Sequence, residues 1–294
     1  MTVEIQKREF LMEDSSMLLK LTLTATEVPV IFRNRISELI KSAAEIGFES
    51  LGVELTDKSF KFFTFNLAFS RDNFKKDIIT FDNSLDVQDI VFMIPEHRFI
   101  TLYISSPYES FLQAVKEGFE KRRDIDFSRK GQILVGGKRL MYLLENTKIL
   151  NKPFQIESDN VILHTHSPLL LEAANTKKPI IPPVEDEACG LEVSVKEYSE
   201  RLAEISAMSI YGMTGRYPIE PISFTSIKLR KTVIKHTLDK FREKTGKSLM
   251  MLTGVTGSFQ LNGHPEDLSL LVESGVGIRT TQGFGMSGPA KMFA

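Results

Sequence analysis

Several features that are common in other protein classes are missing from this chain of 294 residues, and each absence narrows its function. A single cysteine excludes both a disulfide framework and a cysteine zinc site within one chain. No stretch approaches the ~18 apolar residues of a membrane span, and the polar first residues lack the apolar core of a signal peptide. We therefore expect a cytoplasmic protein with no membrane partner.

An excess of charge of one sign is also absent, because the formal net charge is −1. An indiscriminate nucleic-acid binder is usually basic overall, which disfavours that class. The charges are nevertheless unevenly distributed, and residues 228–247 contain far more Lys and Arg than acidic residues. This asymmetry predicts a positive surface on one side of the molecule, with an ordinary solvated face as the alternative.

The first half of the chain shows alternating strand and helix patterns. Apolar residues alternate with polar ones around Leu21, which predicts a strand, and the helical spacing of Ile36, Ile40 and Ala43 predicts a helix that Gly47 would end. Further predicted elements are strands at 61–69, 99–105 and 131–137, a helix at 106–121, and an additional strand at 89–94. The main order is therefore β-α-β-β-α-β.

The second half repeats this order after a pause in the pattern around residues 150–154. Predicted elements are strands at 160–166, 222–234, 249–261 and 283–288, and helices at 195–212 and 264–275. The sequence thus predicts an α+β fold of two tandem ferredoxin-like (βαββαβ, RRM-like) domains, residues 1–150 and 151–294, with a C-terminal glycine-rich loop in the second.

The glycine-rich loop reads SGVGIRTTQGFGM at residues 274–286. Gly283, Gly285 and Gly288 fit G-x-G-x-x-G, but no long helix follows, so we do not expect a dinucleotide site. Glycine N–H groups beside Arg279 favour anion binding, and glycines allow a polymer backbone to approach closely. The alternative is a helix-ending glycine followed by a flexible turn.

The stretch ESGVGIRTTQGFGM resembles the glycine-rich signature of the CRISPR-associated repeat-RNA endoribonucleases, members of the RAMP superfamily. The matching positions are Gly275, Gly277, Arg279, Gly283, Phe284 and Gly285. The resemblance implies tandem ferredoxin-like domains and cleavage of CRISPR repeat RNA. In this family the 2′-hydroxyl attacks the adjacent phosphate without a metal or other cofactor, and leaves 2′,3′-cyclic phosphate and 5′-hydroxyl ends.

The resemblance also implies where RNA is held: the glycine-rich loop, a basic face of the second domain and the cleft between the domains. We therefore expect RNA contacts from the matching loop residues and from four further side chains, Gln282, Lys228, Arg230 and Lys231. Lysines on an edge strand that deter aggregation are the alternative for the basic group.

The expected catalytic histidine of the family is missing, because no histidine precedes His97. A cation that stabilises the phosphorane transition state is the substitute that we predict, in the order Lys61, Lys41 and Arg35, with solvated charges as the alternative. The pair His164 and His166 shares one strand face, where RNA contact, a structural role and metal binding all stay open, although no further metal ligands are visible nearby.

Two functions remain open at this stage: a metal-independent endoribonuclease, and a relative that binds repeat RNA without cutting it. The expected partner in both is CRISPR repeat RNA. Membership of a larger CRISPR interference complex and formation of a homodimer are both left open by the sequence.

Overall fold

The computed structural model describes residues 17–52, 57–81, 85–151, 154–184, 191–237, 246 and 249–292. The helices are α1 (Arg33–Leu51), α2 (Glu109–Lys121), α3 (Val195–Thr214) and α4 (Pro265–Ser274). The strands are β1 (Met17–Thr24), β2 (Glu27–Pro29), β3 (Thr64–Ala68), β4 (Phe74–Phe81), β5 (Leu85–Met93), β6 (Ile100–Ser105), β7 (Asp124–Asp126), β8 (Ile133–Val135), β9 (Met141–Asn151), β10 (Asn160–Thr165), β11 (Leu171–Glu172), β12 (Pro179–Ile180), β13 (Ser223–His236), β14 (Met250–Asn262) and β15 (Ser287–Gly288).

The first domain is built on an antiparallel sheet with the order β3-β6-β1-β9-β7. Strands β3, β6, β1 and β9, together with α1 and α2, form a ferredoxin-like unit. Leu19, Leu21 and Leu23 alternate toward the helices and are almost fully buried in the main core. The predicted fold is confirmed here, but the fourth strand of the unit is β9 and not the predicted strand at 131–137.

A second sheet, with the order β2-β5-β4-β8, is inserted into the first domain. Its centre is the β4–β5 hairpin, which contains the additional strand predicted at 89–94. The short strand β8 pairs with β4 in this second sheet. Its apolar sequence does not show which sheet it joins, and for this reason the sequence predicts it in the main sheet.

Helices α1 and α2 cross with their backbones almost in contact, and this corrects the prediction that Gly47 ends α1. A Cβ atom on Gly47 would lie 1.8 Å from the carbonyl oxygen of Ala114, and one on Gly118 would lie 1.9 Å from that of Ala43. Glycine at both positions is therefore required by close packing, and α1 continues for another turn to Gly52 in the left-handed region.

The second domain has a sheet with the order β13-β14-β10-β15, covered on one face by α3 and α4. This is again the ferredoxin-like arrangement, as predicted. Strand β9 ends at Asn151 and β10 begins at Asn160, so the chain leaves the first sheet and enters the second between these residues. Within the described residues, no helix is both long and apolar enough to cross a bilayer.

Among the described residues, the helices cover one face of each main sheet, and we call the other face its open face. A small apolar cluster joins the two domains; it is formed by Leu18 and Tyr103 of the first domain and Met286 and Met292 of the second, with Phe154 packed against it.

Candidate nucleic-acid interface

The glycine-rich segment, residues 275–285, lies between the two domains and is bonded to both. The hydroxyl of Thr64 on β3 donates to the carbonyl of Phe284 at 2.8 Å, and the hydroxyl of Ser37 on α1 donates to that of Thr281 at 2.6 Å. On the second-domain side, the Gly285 N–H donates to the Pro168 carbonyl at 2.8 Å. The segment is thus fixed in place by the protein's own backbone and hydroxyl groups.

The glycines of this segment are required by internal packing. Gly277, Gly283 and Gly285 have positive φ angles of 92°, 79° and 72°. A Cβ atom on Gly285 would lie 2.0 Å from the Val276 carbonyl oxygen, and one on Gly283 would lie 2.6 Å from the Phe65 ring. Gly275 and Gly277 are similarly enclosed. The space that we expected a polymer backbone to use is therefore filled by the protein, and RNA binding by these glycines stays a prediction.

The three side chains of the segment that were expected to contact RNA have different environments. Phe284 is 0% exposed. Arg279 is half-buried and its guanidinium forms an ion pair with Glu172 at 3.0 Å. The Oε1 atom of Gln282 lies 3.1 Å from Nε2 of His236. Direct access for RNA is therefore limited to Arg279 and Gln282.

His236, at the end of β13, lies beside both Gln282 and Phe284 of this segment. It is 1% exposed, and its ring contacts that of Phe284 edge-on at 5.8 Å. The pKa of His236 is lowered from 6.5 to about 4, mainly by burial and also by the charges of Arg279 and Arg33, although the hydrogen bond to Gln282 opposes the shift. At neutral pH it is a neutral side chain that positions Gln282.

Arg35, one of the predicted catalytic cations, is held by structural contacts. It is 9% exposed; its Nε donates to the Phe127 carbonyl at 2.8 Å and one terminal nitrogen donates to the Asp126 carbonyl at 2.7 Å. The other terminal nitrogen pairs with Glu38 at 3.1 Å. These contacts connect α1 to the end of β7 and favour a structural role.

Lys41 and Lys61 each lie close in sequence to a residue that bonds the glycine-rich segment. Lys41 is half-buried on α1, one turn beyond Ser37, whose hydroxyl bonds the segment. Lys61 is exposed, three residues before Thr64, which also bonds the segment. A catalytic role for either lysine stays a prediction.

The open face of the second sheet carries the exposed cations of the basic stretch. Lys228 is paired across the strands with Ser258, which is paired with His164, so the three form one row on this face. Arg230, two residues after Lys228, is exposed on the same face, because the intervening Leu229 is buried on the opposite face. Lys231 is half-buried and lies on the other face of the strand by alternation. It also takes part in an interaction within the protein. Residues 238–245 and 247 of the stretch lie outside the described residues.

The open face of the first sheet also carries lysines, which the sequence analysis missed. Lys20 on β1 lies directly opposite Lys148 on β9, and its ammonium lies 5.8 Å from the centre of the Tyr103 ring. Within the described part of the chain, neither lysine has a carboxylate partner. Like charges directly opposite destabilise a sheet, so this pair favours an anionic ligand. Alternation on β1 already placed Lys20 opposite the buried leucines, and that signal was available in the sequence.

The rings of His164 and His166, the predicted pair, meet edge-on at 5.9 Å, but the two side chains bond different partners. Nδ1 of His164 lies 3.2 Å from the Ser258 hydroxyl on the open face, whereas Nε2 of His166 lies 3.0 Å from the Pro289 carbonyl. Burial lowers the pKa of His166 to about 4. Among the described residues, no group of three or more potential metal ligands comes together.

Comparison with known proteins bears on this interface. Residues 150–288 match the family described as "CRISPR associated protein Cas6, C-terminal". Comparison with curated proteins gives no match.

Solved structures share the fold of the whole chain. One described as "An RAMP protein binding different RNA substrates" has a TM-score of 0.62 at 17% identity, over 92% of this chain and 98% of that one. One described as "Characterization of a Cas6-related gene from Pyrococcus furiosus" has a TM-score of 0.62 at 19% identity, over 93% and 98% of the two chains. A third, "CRISPR associated protein Cas6", has a TM-score of 0.57 at 18% identity over the same shares. Residues 150–288 are therefore similar to the Cas6 C-terminal family, which confirms the resemblance carried by the glycine-rich signature.

Proposed function

We propose that this protein is an endoribonuclease that cuts CRISPR repeat RNA into guide RNAs. The observation that carries the proposal is the row of exposed cations, Lys228 and Arg230, on the open face of a sheet in the region similar to the Cas6 C-terminal family. Exposed Lys and Arg side chains on one face provide the sequence-independent phosphate contacts that dominate RNA affinity. Lys20 and Lys148 add a second group of positive charges on the open face of the first sheet.

The proposed reaction is an internal transesterification. The 2′-oxygen forms a bond to phosphorus while the bond between phosphorus and the 5′-oxygen breaks. The 2′-hydroxyl loses its proton and the departing 5′-oxygen gains one, so the products carry a 2′,3′-cyclic phosphate and a 5′-hydroxyl. This step consumes no water and, in the proposed mechanism, uses no metal.

The protein's part in this reaction is to orient the RNA and to stabilise charge. Negative charge accumulates on the non-bridging oxygens of the phosphorane, and a fixed cation nearby lowers that barrier. Lys61 is an exposed cation three residues before Thr64, and Lys41 is a half-buried cation one turn beyond Ser37; Thr64 and Ser37 both bond the glycine-rich segment. We assign charge stabilisation to Lys61 first and to Lys41 second, and we leave Arg35 out because its donors are engaged in structural contacts.

The test is incubation of the purified protein with end-labelled repeat RNA in EDTA. A single cut with the two predicted ends supports the proposal, and an RNA with 2′-deoxyribose at the cut site is expected to bind without being cut. Lys61→Ala should slow single-turnover cleavage by about tenfold or more with little loss of binding. Lys196→Ala on α3 is the matched control, since that lysine is 86% exposed and far in sequence from the site. An unchanged rate in Lys61→Ala refutes its role.

One observation favours a second candidate, a protein that holds repeat RNA without cutting it. The histidine nearest to the signature, His236, is buried and neutral, and so it is poorly placed for proton transfer to a substrate. A stable gel shift without product in the same experiment would support this candidate. Absence of any shift at low salt would reject both.

A further inference from the structure

A chain of aromatic rings runs from the start of α1 to the β4–β5 hairpin, on the first-domain side of the glycine-rich segment. We call it the aromatic–arginine surface, and it consists of Phe32, Arg33, Phe69, Arg71, Phe74 and Phe92. The Phe32 and Phe69 rings meet edge-on at 6.0 Å, and the Phe69 and Phe92 rings lie 5.3 Å apart. The rings of Phe32, Phe69 and Phe92 are therefore in continuous contact.

Two guanidinium groups lie on these rings. That of Arg33 lies 4.9 Å from the centre of the Phe32 ring and 5.1 Å from that of Phe284. That of Arg71 lies 5.3 Å from the Phe69 ring and 6.0 Å from the Phe92 ring. Such stacking fixes the planes of the guanidiniums while their N–H edges keep the capacity to bind an oxyanion in a fork.

Neither guanidinium has a carboxylate partner among the residues that the structure describes. The carboxylates closest in sequence and register are engaged elsewhere: Asp72 accepts from Ser70, and Asp89 on the other face of the hairpin pairs with Lys235. Arg33 itself only donates to the Gly283 carbonyl, at 3.4 Å. Most other half-buried arginines here are neutralised, as Arg35 is by Glu38 and Arg279 is by Glu172.

The two arginines also repel each other. Burial, followed by the positive charge of Arg71, lowers the pKa of Arg33 to about 9. Two uncompensated like charges held on a rigid aromatic support raise the energy of the free protein, and an anion bound between them would relieve that repulsion.

An exposed aromatic ring completes the surface. Phe74 lies directly opposite Phe92 on the hairpin and is 56% exposed. Lys76, two residues along on the same face, is also exposed. An open ring beside fixed cations is the combination that single-stranded nucleic acids use, because bases stack on the ring while phosphates meet the cations.

We propose that the aromatic–arginine surface binds a nucleotide of an unpaired RNA segment, with its phosphate on Arg33 and Arg71 and its base on Phe74. This inference rests on the proposed function and deepens it, since it adds an unpaired flank of the repeat RNA to the contacts made on the open faces. A flank bound here would raise affinity without taking part in the cut.

The experiment measures binding and cleavage separately. Binding is measured by fluorescence anisotropy on repeat RNA with 2′-deoxyribose at the cut site, over a range of salt concentrations, for the wild type, Phe74→Ala, Arg71→Ala and the Arg33→Ala/Arg71→Ala double variant. Arg122→Ala, which removes an exposed arginine at the end of α2, is the matched control. Urea unfolding of each variant shows whether the loss of the Arg33 contacts changes the fold.

The double variant should weaken binding about tenfold and make the salt dependence shallower by roughly 0.7 in log–log slope, for one phosphate on a single strand. Phe74→Ala should weaken binding about tenfold without changing the slope, because stacking carries no charge. Cleavage at subsaturating RNA should fall in proportion to affinity in Arg71→Ala and Phe74→Ala. If Arg33→Ala destabilises the protein, the exposed Arg71 and Phe74 still decide the outcome.

Equal affinity and slope in Arg71→Ala, Phe74→Ala and the wild type would overturn this inference while leaving the proposed function intact. Binding of an acidic oligoglutamate peptide that these variants abolish, with RNA binding unchanged, would also overturn it in favour of a protein partner. A wild-type protein that binds no RNA would overturn both proposals.

Discussion

The glycine-rich segment and the open face of the second sheet were both expected to contact RNA, yet they have opposite physical character. In the segment, Gly283, Phe284 and Gly285 are buried and their backbone groups are bonded to the protein's own chain. On the open face, Lys228 and Arg230 extend into solvent. A sequence signature can therefore mark the place where two domains are joined, while the contact surface that we propose for RNA consists of exposed cations on another part of the same domain.

This difference leads to separable effects of substitution. Changes within the glycine-rich segment should act first on the free energy of unfolding, because they force backbone groups apart. Changes on the open face should act on RNA affinity and leave unfolding nearly unchanged, as is usual for exposed positions. Each prediction below either tests this separation or refines it.

The largest effect is expected for Gly285→Ala. The position has a φ of 72°, and a Cβ atom there would lie 2.0 Å from the Val276 carbonyl oxygen, so both backbone strain and overpacking would follow. We expect a loss of about 3–5 kcal/mol in the free energy of unfolding, measured by urea denaturation. Gly52→Ala is the matched control, since Gly52 has a φ of 63° with nothing within 4 Å and should lose only about 1–2 kcal/mol. Similar losses in both variants would show that the segment tolerates displacement.

Much of the fold could be predicted from the sequence because its signals are local. Alternation around Leu21 and the helical spacing of Ile36 and Ile40 both report which side chains are buried. The inserted sheet could not be predicted, because a short apolar strand such as β8 has the same sequence pattern whichever sheet it joins. The misassigned end of α1 at Gly47 has a similar cause, since the close approach of Ala114 on α2 is invisible in the local sequence.

The site was predictable only in part. The signature and the basic strand were located by resemblance and composition, whereas the ion pair of Arg279 with Glu172 joins residues more than 100 positions apart. The structural use of Arg35 by the carbonyls of Asp126 and Phe127 is equally non-local. Charges are visible in a sequence, but their neutralisation depends on tertiary contacts.

The second effect concerns pH and the buried His236. Because its pKa in the folded protein is about 4, below the ordinary 6.5, the unfolded chain binds the proton more readily. The stability associated with the neutral ring is therefore complete above pH 6.5 and is lost as the pH falls toward 4. The maximum loss is about 3 kcal/mol for a shift of this size. Urea unfolding at a series of pH values measures it.

His236→Gln removes the titrating group and keeps an amide next to Gln282, so its stability should fall less between pH 6.5 and 4. His166, whose pKa is also lowered to about 4, contributes to both proteins and cancels in the comparison. Parallel pH profiles for the variant and the wild type would show that His236 is not held neutral by the segment. RNA affinity at pH 7.5 should be nearly the same in both.

The third effect concerns the exposed cations on the open face of the second sheet. The Lys228→Ala/Arg230→Ala variant should bind uncleavable repeat RNA about tenfold to thirtyfold more weakly, with a salt dependence shallower by roughly 1.4 in log–log slope. Its urea unfolding should match that of the wild type within about 0.5 kcal/mol, since both side chains are exposed. A Lys121→Ala/Lys196→Ala variant removes two charges from the helices and serves as the control. If the Lys228→Ala/Arg230→Ala variant lost stability but kept its RNA affinity, the proposed separation between effects on stability and effects on affinity would be wrong.

The smallest effect is expected for Arg279→Ala. Arg279 belongs to the glycine-rich segment but, like the residues of the open face, carries a positive charge. Its charge is already compensated by Glu172 at 3.0 Å, and both side chains are mostly buried. Removal should therefore weaken RNA binding by only about twofold to threefold, because little net positive charge is lost. Glu172→Gln is the informative partner, since it frees the guanidinium and should strengthen binding and steepen the salt dependence if Arg279 faces the RNA. An affinity that Glu172→Gln leaves unchanged would assign Arg279 wholly to the packing of the glycine-rich segment.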